Sequence, residues 1–297
     1  MRSEHVPVLL TEVVEWLDPR PGGIYVDGNL GLGGHAAAIL EASQPDGKLV
    51  GFEWDAAALN EAKKELAHFG ERVHFVHRNF ATLKESLASL GIREVDGLLL
   101  DLGLSSLQLD ASGRGFSFKG CQPLDMRMDV REPKTAAELL NTTTQKDLAD
   151  IFYYYGEERQ ARRIAAAIVK ERQQRPITST EQLVSIIERA IPRRYHPAKI
   201  HVGTKVFQAL RIAVNHELEN LSRVLADGAG LLKPGARFCA ISFHSLEDRL
   251  IKRAFAEDAA LRVLTRKPIT PSINECRRNP RARSAKLRVA VRREERA

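Results

Sequence analysis

Between residues 24 and 55 the chain runs Ile24-Tyr25-Val26-Asp27-Gly28-Asn29-Leu30-Gly31-Leu32-Gly33-Gly34-His35, then a helical stretch, then Lys48-Leu49-Val50-Gly51-Phe52-Glu53-Trp54-Asp55. That order predicts a buried strand, a glycine turn, a helix and a second strand ending in a carboxylate, the opening unit of a parallel α/β sheet. Gly28, Gly31, Gly33 and Gly34 let the backbone turn sharply and come close to a ligand without a Cβ in the way. Glu53 lies about 20 residues beyond Gly33, where a strand-end carboxylate can accept both hydroxyls of a ribose. The pattern marks a nucleoside-containing cofactor. Because Gly31-x-Gly33-x-x-Ala36 also fits the loose dinucleotide fingerprint, NAD, a flavin, S-adenosylmethionine and a purely structural turn all remain open at this point.

Further strand-like runs at Arg72–Val76 and Val95–Leu102, with helical periodicity at 36–42, 56–69 and 83–90, continue a βαβα alternation that implies a doubly wound sheet. After Asp101 the rhythm stops. From about Gln108 to Val202 the segments are helical (136–140, 145–153, 157–173 and 179–190), separated by Pro133, Gly156, Pro176, Pro192 and Pro197. The sheet pattern returns with a long helix from Lys205 to about Leu225, a Lys233-Pro234-Gly235 turn and a strand over Ala236–Ser242. A helix over 246–256 follows, and then two alternating β segments, 261–266 and 286–293, separated by a basic loop. Residues 1–107 and 203–297 therefore read as two parts of one Rossmann-like domain, with 108–202 as an all-helical insertion. A parallel sheet finished by a reversed pair fits a class I methyltransferase fold better than a dehydrogenase, which repeats another βαβ half. Only 292–297 reads as a fraying end.

The chain has 297 residues with 43% apolar content, enough for a real core. Glu4, Glu12 and Glu15 interrupt the early apolar segment and no apolar run approaches a membrane span, so neither an export signal nor a membrane anchor is expected. Cys121, Cys239 and Cys276 are widely spaced and form no Cys-x-x-Cys pair, which points to no disulfide framework, no metal site and a reducing cytoplasm. The net charge of +7 favours an acidic partner. Its distribution is sharper: Arg266, Lys267, Arg277, Arg278, Arg281, Arg283, Lys286, Arg288, Arg292 and Arg293 stand against the single acid Glu275. Such a run is expected to contact a nucleic-acid backbone, with Arg277, Arg278, Arg281 and Arg283 as candidates. Arg189, Arg193, Arg194, Lys199 and Lys205 form a second basic group, and RNA is expected between the two.

The strand ending at Asp101 delivers a carboxylate to the edge where open α/β sheets bind ligands. Asp101 is a candidate to accept a hydrogen bond from a substrate amino group or to support the cofactor; otherwise it caps the next turn. His244 follows the returning strand on the same edge and is a candidate RNA contact or proton acceptor. Its structural alternative is a helix-start histidine beside Ser245, a plausible N-cap. His68, His74 and His77 read as surface histidines. Tyr153, Tyr154 and Tyr155 read as helix-end packing, with base stacking as the alternative.

Longer motifs go further. His5-Val6-Pro7-Val8-Leu9-Leu10, Gly33-Gly34-His35, the run from Asp101 to Asp110, Arg114-Gly115-Phe116-Ser117-Phe118 and Pro123-Leu124-Asp125-Met126-Arg127-Met128-Asp129 closely resemble the bacterial ribosomal RNA small-subunit methyltransferase H family. So do Tyr155-Gly156-Glu157-Glu158-Arg159, the run from Phe207 to Asn215, the run from Ser242 to Arg249 and the run from Asn279 to Ser284. The resemblance spans nearly the whole chain. It implies transfer of a methyl group from S-adenosylmethionine to the exocyclic N4 of a cytidine in the decoding centre of 16S ribosomal RNA. It also implies cofactor contacts at Gly33, Gly34, His35, Glu53, Phe80, Asp101 and Gln108. The expected partner is small-subunit ribosomal RNA within an assembling subunit, with a homodimer left open. Three positions depart from the family pattern: Asn29 stands for Thr, Glu53 for Asp, and Leu107 for a Pro whose loss loosens the turn before Gln108. A noncatalytic RNA-binding assembly factor on the same fold, and an NAD-dependent oxidoreductase, are the competing readings.

Overall fold

The computed structural model describes residues 7–105, 107–111, 113–118, 120–198 and 200–294. The chain divides into two compact units, Met1–Ser105 with Leu218–Ala297, and Ser106–Glu217.

In chain order the first unit contains α1 (Leu10–Leu17), β1 (Ile24–Asp27), α2 (Gly34–Ala42), β2 (Lys48–Phe52), α3 (Ala56–Glu65), β3 (Val73–Val76), α4 (Leu83–Ser89) and β4 (Val95–Asp101). The helical unit holds α5 (Ala136–Thr142), α6 (Gln145–Tyr154), α7 (Ala161–Arg172), α8 (Thr180–Ala190) and α9 (Thr204–Asn215). The chain then returns with α10 (Glu217–Leu231), β5 (Leu232–Ser242), α11 (Ser245–Glu257), β6 (Leu261–Val263), α12 (Ile273–Arg278) and β7 (Lys286–Arg292).

The seven strands form one sheet in the order β3-β2-β1-β4-β5-β7-β6. β1 to β5 pair in parallel, and β7 runs antiparallel to both β5 and β6. One strand is thus reversed, not a pair. This is the class I methyltransferase arrangement of a Rossmann-like sheet. Period-2 alternation places successive residues on opposite faces. Val26, Leu98, Leu100, Phe238 and Ala240 pack in one apolar cluster with α4, α10 and α11 residues such as Leu87, Leu225 and Phe255. Tyr25, Leu99, Cys239 and Ile241 pack in the other with Val13, Leu17, Ile39 and Leu40 from α1 and α2.

Several elements differ from the sequence reading. The long helix expected from Lys205 breaks at His216, whose φ of 50° is left-handed and caps α9 through a backbone bond to Ile212. The helical unit accordingly includes α9, which periodicity alone joined to the returning sheet. β5 starts at Leu232 and runs through Pro234 and Gly235, where the pairing with β4 shifts register between Val95 and Gly97. The expected turn is therefore a β-bulge, a place where proline and a left-handed glycine are tolerated. Arg292 ends β7 and donates to the Ala229 carbonyl at 2.9 Å, and Arg293 donates to the Leu261 carbonyl at 3.0 Å, so neither frays. Residues 295–297 lie outside the described residues.

In the helical unit, Leu140, Leu148, Phe152, Ile164, Ile168, Leu183, Ile187 and Leu210 are fully buried. Thr135 with Glu138, and Ser179 with Gln182, form capping boxes at the starts of α5 and α8. The irregular stretch before α5 is pinned by Asn215, whose side chain accepts from Met128 N at 2.7 Å and donates to the Met126 carbonyl at 2.8 Å. Arg114 donates to the carbonyls of Arg127 and Met128 at 2.9 and 3.1 Å. These bonds give the Arg114 and Pro123–Asp129 motifs a structural role.

Candidate active site

Parallel pairing in register brings the ends of β1, β2 and β4 to one edge of the sheet, with Asp27 opposite Gly51 on one side and Leu99 on the other. Three carboxylates, Asp27, Glu53 and Asp101, therefore surround the glycine turn. Asp27 is completely buried. Its Oδ1 accepts from Asn29 N at 3.1 Å, while Oδ2 is buried without a hydrogen-bond partner among the described residues. Burial pushes its carboxyl up to about 6, against the pull of His35 and the Asn29 N–H. Sequence reading passed over this residue; its signal was an acid on the last position of β1, directly before Gly28.

Glu53 is buried too. Oε2 accepts from Gly31 N and Oε1 from Asp55 N, both at 2.9 Å, so the side chain ties the glycine turn to β2 and the start of α3. Burial raises its carboxyl to about 8, although both N–H donors favour the anion.

Gly33 caps α2 with φ at 91°, a conformation that favours glycine. At Gly34 a Cβ would stand 2.3 Å from Pro7 Cγ, and at Gly28 one would stand 2.4 Å from Leu100 Cδ2. The room expected for a ligand is, at these two positions, filled by the protein's own side chains. His35 is buried in the first turn of α2, with Nε2 3.0 Å from the Val8 carbonyl. That bond puts a proton on Nε2 and turns Nδ1 toward Asp101 Oδ2 at 3.5 Å. Asp101, half-buried at the end of β4, also meets Gly103 N through Oδ1 at 3.4 Å. Phe80 opens a short 3₁₀ turn and is buried in the apolar cluster that contains Val26 and Leu100, beneath the turn.

His244 is the N-cap of α11, a role expected of Ser245. Nδ1 accepts from Glu247 N at 3.4 Å, and Nε2 lies 3.0 Å from Glu247 Oε1. The Glu247 carboxylate accepts in return from Phe243 N and His244 N at 2.8 and 3.3 Å. Nδ1 thus caps α11, whereas Nε2, though close to Glu247 Oε1, is buried and makes no hydrogen bond among the described residues. His77 is half-buried, Nε2 3.1 Å from the Trp54 carbonyl, and is not a surface histidine as expected; His68 and His74 are exposed.

Gln108 belongs to the helical unit, where it is buried in a single π-helical turn, Leu107–Ala111. Ser106 and Lys199, both named among the sequence motifs, lie outside the described residues, as do His5 and Val6.

The C-terminal basic run splits in two. Arg277, Arg278, Arg281 and Arg283 are exposed on α12 and the 3₁₀ turn Pro280–Ser284. Lys286 and Arg288 pair with Asp248 at 3.0 and 2.6 Å, and Arg292 and Arg293 bond to carbonyls as described. Those four cations serve the fold. The segment expected as a loop is thus partly helical. No described helix is long and apolar enough to cross a membrane.

The chain is similar to the Desulfotalea psychrophila protein named ribosomal RNA small subunit methyltransferase H, with 58% identity over 96% of this chain and 97% of that protein. Proteins of the same name from Geotalea uraniireducens and Geobacter sulfurreducens are 51% and 52% identical, over 96% and 98% of this chain and 97% and 99% of their own lengths. The model of the MraW methylase family matches residues 2–293, and the chain belongs to that family.

Proposed function

We propose that this protein transfers a methyl group from S-adenosylmethionine to the exocyclic N4 of a cytidine in the decoding centre of 16S ribosomal RNA, acting in the cytoplasm on an assembling small subunit. The observation that carries the reading is the convergence of Asp27, Glu53 and Asp101 on one glycine turn, in a chain whose relatives are named for small-subunit ribosomal RNA methylation. The unpartnered Asp27 Oδ2 supports the fit of a cofactor carrying a cationic amino group, since a buried carboxylate oxygen gains most from a charged donor. Glu53 would accept the ribose hydroxyls, and the backbone of Gly33, Gly34 and His35 would line the methionyl side, with Phe80 shaping the floor. S-adenosylmethionine supplies an electrophilic methyl on a sulfonium.

Cytosine N4 is a poor nucleophile because its lone pair is conjugated into the ring. Most of the acceleration must then come from holding that nitrogen in line with the methyl, which makes positioning groups decisive. Asp101 suits this role. It sits at the strand end, where it would accept the N4–H hydrogen bond, and Gly103 N donates to its Oδ1 at 3.4 Å while His35 Nδ1 lies 3.5 Å from Oδ2. Exposed Arg277, Arg278, Arg281 and Arg283 would take RNA phosphates.

Calorimetric titration of the protein with S-adenosylmethionine and with NAD, paired with transfer of labelled methyl to small-subunit ribosomal RNA, tests the reading. Methyltransferase function requires binding of the first alone together with label in the RNA. Binding of RNA with no cofactor uptake would favour the noncatalytic assembly factor instead, and selective NAD binding the oxidoreductase.

A further inference from the structure

Tyr153 and Tyr154 were expected to pack at a helix end, yet they are 57% and 63% exposed. Phe152 is fully buried, and each step along a helix turns about 100°, so the next two side chains leave the core of the helical unit. Their rings stand edge to face, 5.1 Å apart at 84°. Tyr195 is also half exposed, but the Arg194 guanidinium already lies 4.9 Å over its ring. The tyrosine pair has no such cover among the described residues.

Exposed arginines follow the pair in the chain. Glu158 N donates to the Phe152 carbonyl at 3.1 Å, folding the α6–α7 connection back onto the end of α6. That fold brings exposed Arg159, Arg162 and Arg163 to the same end of the unit. Lys205 donates to the Glu157 carbonyl at 2.8 Å, and the Gln208 side chain to the Tyr155 carbonyl at 3.1 Å, so α9 fixes the same turn from its other side. Gly156 makes this docking possible: a Cβ there would stand 2.5 Å from the Lys205 carbonyl. Asp147, Asp150, Glu157 and Glu158 are the acids nearby in sequence, with Glu158 buried, against Arg159, Arg162 and Arg163 there and Lys205 from α9. An exposed aromatic pair held on a rigid turn among arginines matches unpaired RNA, whose bases stack on aromatic faces while phosphates meet guanidinium groups.

We propose that Tyr153 and Tyr154, with Arg159, Arg162 and Arg163, form a platform that stacks unpaired nucleotides of the RNA substrate. The proposal rests on ribosomal RNA being the substrate. The platform is a second RNA contact, separate from the C-terminal arginines. It reads base faces and strandedness, not sequence.

The test uses the full chain with the paired substitutions Y153A/Y154A, Y153F/Y154F and R162Q/R163Q, and as probes a labelled single-stranded oligoadenylate and a duplex RNA of equal length. Because stacking on an aromatic ring is worth about 1–3 kcal/mol per base, Y153A/Y154A should weaken oligoadenylate binding at least about fivefold. It should leave duplex binding and the melting temperature at wild-type values. Y153F/Y154F should restore affinity, since phenylalanine keeps the ring face. R162Q/R163Q should lower the logarithmic salt slope by about 1.4, the single-strand value for two phosphates. Equal oligoadenylate affinity in wild type and Y153A/Y154A would overturn the platform, whatever protein contact those tyrosines then make. Methyl transfer by the wild type is scored separately: its absence would sink the proposed substrate while leaving the oligoadenylate result to be judged alone.

Discussion

Replacing Asp27 by asparagine leaves the shape of the buried turn unchanged and removes one ionisation. In the folded protein burial raises the Asp27 carboxyl from 3.8 to about 6, with His35 and the Asn29 N–H opposing and Asp101 reinforcing the rise. A folded-state value above the unfolded one means that the native state holds the proton more tightly. The contribution to stability is therefore fully present below about pH 4 and is lost as pH rises to about 6. A shift of this size is worth about 3 kcal/mol, and complete burial leaves little solvent to screen it. The introduced amide would keep an oxygen for the Asn29 N–H and place an NH₂ group where Oδ2 stands, a cost independent of pH. The informative quantity is thus the difference between the two proteins at each pH. Urea denaturation followed by the fluorescence of Trp16 and Trp54 should find D27N gaining about 3 kcal/mol on the wild type between pH 4 and pH 7. Glu53 titrates in both proteins and largely cancels. A difference that stays flat, or one that moves the other way, would refute the argument that Asp27 is a buried acid held without a partner.

The remaining expectations concern ligands. Glu53→Ala should weaken S-adenosylmethionine binding by about 1–3 kcal/mol with RNA affinity unchanged, read by calorimetry. Since burial holds the Glu53 carboxyl at about 8 and acceptance of two ribose hydroxyls favours the anion, wild-type cofactor affinity should rise with pH toward 8 and level off above it; no rise would remove Glu53 from the ribose. Asp101→Asn should retain cofactor affinity and slow single-turnover methylation, and wild-type turnover would exclude Asp101 from the acceptor site. Exchanging Arg281 and Arg283 for Gln should flatten the salt dependence of RNA binding by up to roughly 2 phosphate equivalents while sparing the cofactor, whereas an unchanged slope would remove these arginines from the RNA contact.

Much of the first unit was legible because its strands are short apolar runs between turn residues, and the glycine turn with Glu53 and Asp101 could be located by strand ends alone. Elements set by tertiary packing were not. α1 lies in a segment whose two buried residues, Val13 and Leu17, have meaning only against the sheet. The break at His216 carries no glycine or proline to announce it, and the bulge at Gly235 looks in sequence like a turn. At the site, the carboxylates were visible but their surroundings were not: the unpartnered Oδ2 of Asp27 depends on atoms brought together from distant positions, and the local capping box of His244 with Glu247 puts a histidine where Ser245 was expected to cap. Lys286 and Arg288 show the same limit for charge, since the run of cations gave no hint that Asp248 binds two of them. Tyr153 and Tyr154 sit one and two residues past a buried phenylalanine, and helical periodicity near a terminus does not say which face the neighbouring helix covers.

Nucleoside mass spectrometry decides between a cytidine-N4 methyltransferase and its alternatives most directly. Small-subunit particles taken from a strain without the gene, incubated with the purified protein and S-adenosylmethionine, should gain N4-methylated cytidine at a single decoding-centre position of 16S ribosomal RNA. The methyl group should come from the labelled donor, and Asp101→Asn should slow its appearance. Label at a ring carbon, on a ribose hydroxyl or outside the small-subunit RNA, or no label from a protein that binds the donor normally, would contradict the assignment.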